Sequence, residues 1–301
     1  MTEPARDKWS EWLLARRDGG DPEQRKKTLE FLAPVREKVL ENAALSGGET
    51  LLDVGAGDGL IAFGALDLVG EDGAVVFSDI SRDLLDHSRS LAREMDVLGR
   101  CRFVEASADD LSEVESSSVD VVTTRSVLIY VEDKRRAFEE FHRVLAPGGR
   151  LSVWEPINNF RDALAPDFFL GCDTSPVEDL AGKVAAVYRR IQPMDADPML
   201  DFDERSLFSL AEEAGFEETS LDLEARTRAG SAYNEESPEW GKFIKRSGNP
   251  KIPTLEEAMD EALTPEERER FASHLRPLVE GGKQRTSTAA AYLWATKKKE
   301  A

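Results

Sequence analysis

The stretch Leu51-Leu52-Asp53-Val54-Gly55-Ala56-Gly57-Asp58-Gly59 carries the fold decision for this chain. A short apolar run of strand length enters a turn with three alternating glycines, and from Leu60 onward the apolar residues recur at helical spacing. Glycine admits positive φ and lets a ligand approach the backbone closely. The helix start behind the turn offers amides with no intrahelical partner. A lone Gly-x-Gly marks no more than a tight turn, but strand, glycines and helix in succession point to a nucleotide-binding turn. A dinucleotide fingerprint requires its third glycine where this chain has Leu60, so the pattern suits a ligand without a pyrophosphate.

Outward from that turn, short apolar runs alternate with amphipathic segments. Leu51–Val54, Ala74–Ser78, Cys101–Glu105, Val119–Thr124 and Leu151–Trp154 read as strands, with helices at Ile61–Val69, Arg82–Met95 and Lys134–Leu145. Near-continuous apolar strands separated by helices predict a parallel sheet covered on both faces. Leu221–Thr227 and Thr288–Ala295 add two final strands. The expected fold is therefore α/β, a doubly wound and mostly parallel seven-stranded sheet.

The segments outside this alternation divide the chain further. Residues 1–48 read as helical: Trp9, Trp12 and Leu13 share a helical spacing, Gly19-Gly20 stops it, and Asp21-Pro22 starts a second helix predicted to break at Pro34. Residues 49–155 form the glycine-turn half of the α/β domain, and 203–229 with 286–301 its C-terminal part. Two insertions, 156–202 and 230–285, interrupt it, with helices expected at Asp162–Leu170 and Val177–Ile191 and a capping box at Thr264/Glu267. Insertions this long usually carry function, and a lid over a pocket is expected here.

Composition narrows the partners. A 41% hydrophobic content supports a buried core, and no apolar stretch approaches the ~20 residues that span a bilayer. With a polar start in place of a signal peptide, the expected location is cytoplasmic, with no stable membrane insertion. A formal net charge of −20 repels phosphodiester backbones, so nucleic acid is not expected as a substrate. Cys101 and Cys172 are too few and too separated for a disulfide scaffold, a metal site or thiol-based arsenic chemistry, and no metal is expected. A homodimer is compatible with this composition.

Two further elements bear on the ligand. Asp79 ends the second strand, where a carboxylate can accept from both hydroxyls of a ribose. Ser107-Ala108-Asp109 follows the third strand and offers side-chain oxygens and backbone amides to a base. Together with Ser118–Val122 and the Pro147-Gly148-Gly149 run, these residues resemble the class I S-adenosylmethionine-dependent methyltransferases, in particular the branch acting on quinones, sterols and other small molecules. The resemblance covers about residues 49–156. It implies that Asp53, Gly55, Ala56, Gly57 and Asp58 surround the methionine part of S-adenosyl-L-methionine, and Asp79 and Ile80 the ribose. By the same resemblance Ser107, Ala108 and Asp109 hold adenine, and Arg125 and Ser126 close the cofactor site. The family often has an acidic residue where Ser107 stands, which shifts the adenine contact toward Asp109.

Methyl transfer asks an enzyme mainly to align two partners and exclude water. None of His87, His142 and His274 follows the C-terminal end of a core strand, so each is expected to be structural. Tyr130 and Glu155 are the candidates for facing the substrate, and both also fit packing or loop capping. Phe168, Phe169, Tyr188, Tyr233, Trp240 and Phe243 line either an apolar pocket or the interior of the lid. The resulting expectation is a methyltransferase for a small apolar or amphipathic metabolite, at oxygen, carbon or nitrogen. A non-catalytic cofactor-binding module of the same fold is the alternative, and a nicotinamide oxidoreductase is disfavoured by Leu60.

Overall fold

The computed structural model describes residues 6–161, 168–193, 196–230 and 239–299. Its strands are β1 Thr50–Val54, β2 Ala74–Asp79, β3 Cys101–Glu105, β4 Val119–Arg125, β5 Leu145–Pro156, β6 Phe168–Phe169, β7 Cys172–Asp173, β8 Glu218–Ala229 and β9 Arg285–Thr296. Its α-helices are α1 Lys8–Glu11, α2 Pro22–Ala43, α3 Leu60–Val69, α4 Arg82–Glu94, α5 Lys134–Val144, α6 Glu178–Ile191, α7 Glu204–Glu213, α8 Trp240–Phe243, α9 Leu255–Ala262 and α10 Pro265–Glu280. Seven strands form one sheet in the order β3-β2-β1-β4-β5-β9-β8. The first five are parallel, and β9 runs antiparallel to both β5 and β8. This is the doubly wound, mostly parallel sheet that the alternation predicts, and its order reverses between β1 and β4, where such sheets open a crevice.

Two apolar layers clothe the sheet. One holds Leu52, Val122, Leu151, Phe138 and Phe141 against α5 and α7; the other holds Leu51, Val75, Phe77 and Val39 against α2 and α3. Adjacent residues of one strand thus enter opposite layers, which is why β1 is apolar at both positions. Asp133 caps α5 through Arg136 N, and Asp203 caps α7 in a capping box with Ser206.

Some boundaries differ from the sequence reading. α2 runs unbroken through Pro34, so the expected interruption there is absent. A proline costs one intrahelical bond and bends a helix, and the buried stripe Leu32, Val35, Val39, Leu40 and Ala43 on either side of it outweighs that loss. Pro147-Gly148-Gly149 lies inside β5: Val119 pairs with Leu145 and Val121 with Arg150, so the intervening residues bulge out. Phe168–Phe169 pairs with β7 instead of extending the expected 162–170 helix, and residues 162–167 lie outside the described residues.

The two insertions share one core. Val177, Leu180, Ala181 and Val184 of the first pack with Trp240, Leu255, Met259, Phe271 and Leu275 of the second. Phe169 stands 6.1 Å from Tyr188 and 6.3 Å from Phe271, centroid to centroid. Phe169, Tyr188, Trp240 and Phe243 therefore serve this interior; Tyr233 lies outside the described residues.

Candidate functional site: a cavity at the strand reversal

A cavity of about 620 Å³ opens over the C-terminal ends of the parallel strands. Its floor is Gly55 and Gly57 after β1, Asp79 ending β2 with Ile80 behind it, Ala106–Asp109 after β3, and Arg125 ending β4 with Ser126 and Tyr130 behind it. The sequence-predicted residues from four separate loops thus meet at one place.

Gly55 has φ +67°, and a Cβ there would lie 2.2 Å from Val127 Cγ2. Gly57 has φ +56°, and its Cβ would come 3.0 Å from Leu13 Cδ2. Backbone alone therefore faces the cavity at this turn, squeezed between Val127 and the N-terminal segment. Asp79 ties the turn down: its Oδ2 accepts from Gly57 N at 2.8 Å and its Oδ1 from Ser81 N at 2.8 Å. Each oxygen retains a lone pair for a further donor. Burial raises the Asp79 carboxyl above the usual carboxylate range, against those amide bonds. The Ser107 hydroxyl bonds the Asp109 carboxylate, which places both polar side chains beside Ala108.

Three residues assigned to the cofactor by resemblance stand outside the cavity lining. Asp53 is 2% exposed; its Oδ1 accepts from Thr123 Oγ1 at 2.8 Å and its Oδ2 from Ala62 N at 3.1 Å. It clamps β1 to β4 and to the first turn of α3, and burial pushes its carboxyl up to about 7. Ala56 donates its amide to Ser78 O across to β2. Asp58 turns to the arginines, 3.6 Å from Arg25 and 3.9 Å from Arg17.

Glu155 lies outside the cavity lining. It is fully buried, and its carboxylate accepts from Val127 N at 2.8 Å, Leu128 N at 3.0 Å and Ile129 N at 3.4 Å. A carboxylate capping the short turn after β4 spends its oxygens on backbone amides, the loop-capping role that its sequence position also allows. Tyr130, on that turn, does line the cavity, with its ring edge-on to Trp9 at 4.9 Å. No histidine lines it: His142 packs on Phe216 and His274 bonds Asp173 O.

Sequence reasoning missed the cavity's outer wall. Trp9, Trp12, Leu13 and Arg17 come from the N-terminal segment, Phe31 and Leu32 from α2, Asn158 and Met199 from the first insertion, and Arg246–Gly248 from the second. Trp12 Nε1 donates to Ser247 O at 2.9 Å and Ser247 N to Arg16 O at 3.1 Å, joining two of these pieces. The tryptophan spacing was the one available signal, since it leaves large apolar surface on a short helix that needs a partner.

Cations gather at the glycine-turn end. Arg17 Nη2 is buried without a hydrogen-bond partner, and the partly buried Arg125 bonds Ser126 Oγ at 3.3 Å. Burial lowers the Arg125 guanidinium's affinity for its proton, and Arg17 adds to the effect. A carboxylate would complete the bonding of both. Arg17 and Arg125 at one end, exposed glycine backbone, and acceptor oxygens at Asp79, Ser107 and Asp109 fit an amino-acid nucleoside such as S-adenosylmethionine.

A parallel sheet reversed beside a glycine turn, with a carboxylate ending the neighbouring strand, defines a nucleotide-binding α/β protein of the Rossmann-like class. Comparison with known proteins makes the class particular. A methyltransferase-domain family model matches residues 52–153. The ubiquinone/menaquinone biosynthesis C-methyltransferase UbiE of Vibrio vulnificus is 31% identical over 181 residues, 58% of this chain and 66% of that protein. Its counterpart from Cronobacter sakazakii is 32% identical over 178 residues, 56% of this chain and 67% of that protein. The chain thus spans about two thirds of the length of these curated relatives. A solved Bacillus halodurans structure has a TM-score of 0.55 at 19% identity, covering 88% of this chain and 100% of that one. YcgJ of Bacillus subtilis has 0.54 at 15%, covering 90% and 99%; both share the fold. The chain belongs to the class I S-adenosylmethionine-dependent methyltransferases.

Among the described residues no helix is long and apolar enough to cross a membrane, and no cluster of metal-ligating side chains is present.

Proposed function

We propose that this chain transfers a methyl group from S-adenosylmethionine to a small apolar or amphipathic acceptor bound under the N-terminal segment. The observation that carries the reading is the composition of one cavity. Its floor has the glycine turn, Asp79 and Ser107–Asp109, while Trp9, Trp12, Leu13, Phe31, Ile129 and Met199 supply apolar walls. A nucleoside and an apolar acceptor would be held side by side in such a space.

When bound there, S-adenosylmethionine would supply a sulfonium methyl for in-line displacement by an acceptor's electron pair, the methyl–sulfur bond pair leaving with S-adenosylhomocysteine. The chain's own residues bind and orient: Asp79 takes the ribose hydroxyls, the Ser107–Asp109 loop the base, and Arg17 with Arg125 the carboxylate. Trp9 and Tyr130, stacked edge to face, keep water from the acceptor side. Tyr130 is the cavity-lining phenol among the described residues, beside the space assigned to the acceptor. The curated relatives are named as C-methyltransferases of ubiquinone and menaquinone biosynthesis, so a reduced quinone-like aromatic is the first acceptor class to assay.

Calorimetric titration with S-adenosylhomocysteine and, separately, NAD tests the cofactor, and transfer of labelled methyl to phenolic and quinol acceptors tests the reaction. Binding of the first ligand only, followed by transfer to an aromatic acceptor, is the expected outcome. Cofactor binding without transfer to any small acceptor would favour the non-catalytic module.

A further inference from the structure

β8 ends the sheet, and among the described residues no other strand pairs with its outer side. It is twelve residues long, largely exposed on both faces, and it includes exposed Leu223. Long open edges invite pairing with another chain, and proteins ordinarily blunt them with charge. The charges on β8 are arranged differently. Asp222 and Glu224 occupy one half and Arg226 and Arg228 the other, with Ala225 at the midpoint.

The backbone sets which residues can pair outward. Gly230 N donates to Gln284 O, and the β8–β9 register continues from Ala229↔Arg285 down to Glu218↔Thr296. Hydrogen-bonded pairs alternate along an antiparallel ladder, so the even-numbered residues of β8 are bonded to β9. The amides and carbonyls of 221, 223, 225, 227 and 229 then point away from the sheet. A second β8 placed antiparallel about a two-fold axis at Ala225 meets this parity. Ala225 faces Ala225, Leu223 faces Thr227 and Leu221 faces Ala229 as hydrogen-bonded pairs. Asp222 then opposes Arg228, and Glu224 opposes Arg226, at the non-hydrogen-bonded positions where Cα atoms come within about 4.5 Å and side chains are closest. Shifting the axis to Glu224 or Arg226 would set like charges directly opposite each other.

We propose that two copies of this chain dimerise by pairing their β8 strands antiparallel about Ala225, joining two seven-stranded sheets into one. Within a single chain Lys38 stands 3.1 Å from Asp222 and 3.0 Å from Glu224, and Arg226 reaches Glu224 at 3.1 Å. Arg228 makes no ion pair among the described residues. The partner's Asp222 would supply one, and the contact is isologous, as a closed dimer requires.

Sedimentation analysis of the full chain and two charge variants tests this. Wild type is expected to be dimeric. Arg226→Glu/Arg228→Glu, with a wholly acidic edge, and Asp222→Arg/Glu224→Arg, with a wholly basic one, should each raise the dimer dissociation constant about tenfold or more. Mixing the two variants should restore a dimer containing one of each, which also shows that both are folded. Ala225→Cys should cross-link as a disulfide under mild oxidation, since Cα atoms at the axis would lie about 5.5 Å apart. A monomeric wild type, or a dimer that survives both charge reversals and gives no Ala225→Cys cross-link, would overturn the proposal.

Discussion

The Glu155 carboxylate accepts the Val127 amide at 2.8 Å, and the Val127 side chain fills the space where a Cβ on Gly55 would stand. A buried acid at the end of β5 thus sets, through one residue, how closely the turn after β4 approaches the glycine turn after β1. That chain of contact shapes the cavity without touching its contents.

Glu155→Gln keeps one acceptor oxygen but sets an NH₂ group toward a backbone amide. With up to three buried amides at stake, the variant should lose about 1–3 kcal/mol of stability. It should alter cofactor affinity less than it alters the denaturation midpoint; urea unfolding beside calorimetry checks both.

Gly55→Ala meets two obstacles, the left-handed φ and the Val127 methyl at 2.2 Å. The backbone part costs roughly 1–2 kcal/mol and the overpacking about 1–3 kcal/mol. Gly55→Ala/Val127→Ala should recover stability relative to the single glycine variant. A double variant no more stable than simple additivity predicts would mean that Val127 does not oppose a side chain at 55.

Asp79→Asn separates ligand binding from structure better than Asp79→Ala, because it can still accept from one of the two amides that the carboxylate holds. Loss of charged hydrogen bonds to ribose hydroxyls should weaken S-adenosylhomocysteine binding by about 10- to 100-fold. Unchanged affinity would remove Asp79 from the cofactor site.

Burial pushes the carboxyls of Asp53 and Glu155 up to about 7, from 3.8 and 4.5. Between those values and about 7 the folded chain holds protons that the unfolded chain has released. Their contribution to stability is therefore present below about pH 4 and is lost as pH rises through about 7. Denaturation midpoints should fall between about pH 5.5 and about pH 8. Glu155→Gln should flatten that slope, and a slope left unchanged by the substitution would mean that the Glu155 carboxyl is not raised.

The sheet was legible because its strands are apolar on both faces and the glycine turn follows the first of them, so period and punctuation agree. The floor of the cavity was legible for the same reason: Gly57, Asp79 and Ser107 each sit at or just past a strand end, and parallel strands put those ends together. Glu155 also sits at a strand end, yet its environment depends on amides 28, 27 and 26 residues away in sequence. No local pattern distinguishes an acid that caps a distant turn from one that meets a ligand. Asp53 is a similar case, since Thr123 and Ala62 absorb its carboxylate. The outer wall stayed hidden because Trp9 and Arg246 are brought together only by tertiary packing, and Pro34 misled because burial outweighed local propensity.

β9 follows both β5 and β8 in sequence but lies between them in the sheet. While the chain is being synthesised, β5 stays an open edge and β8 has no neighbour until residue 296 has left the ribosome. The glycine turn and its four companion strands can pair much earlier, so until β9 is made the nascent protein carries a half-built sheet displaying unpaired backbone. Deleting residues 285–296 would leave the edges of two strands exposed, a state that invites aggregation and quality-control proteolysis more than partial function.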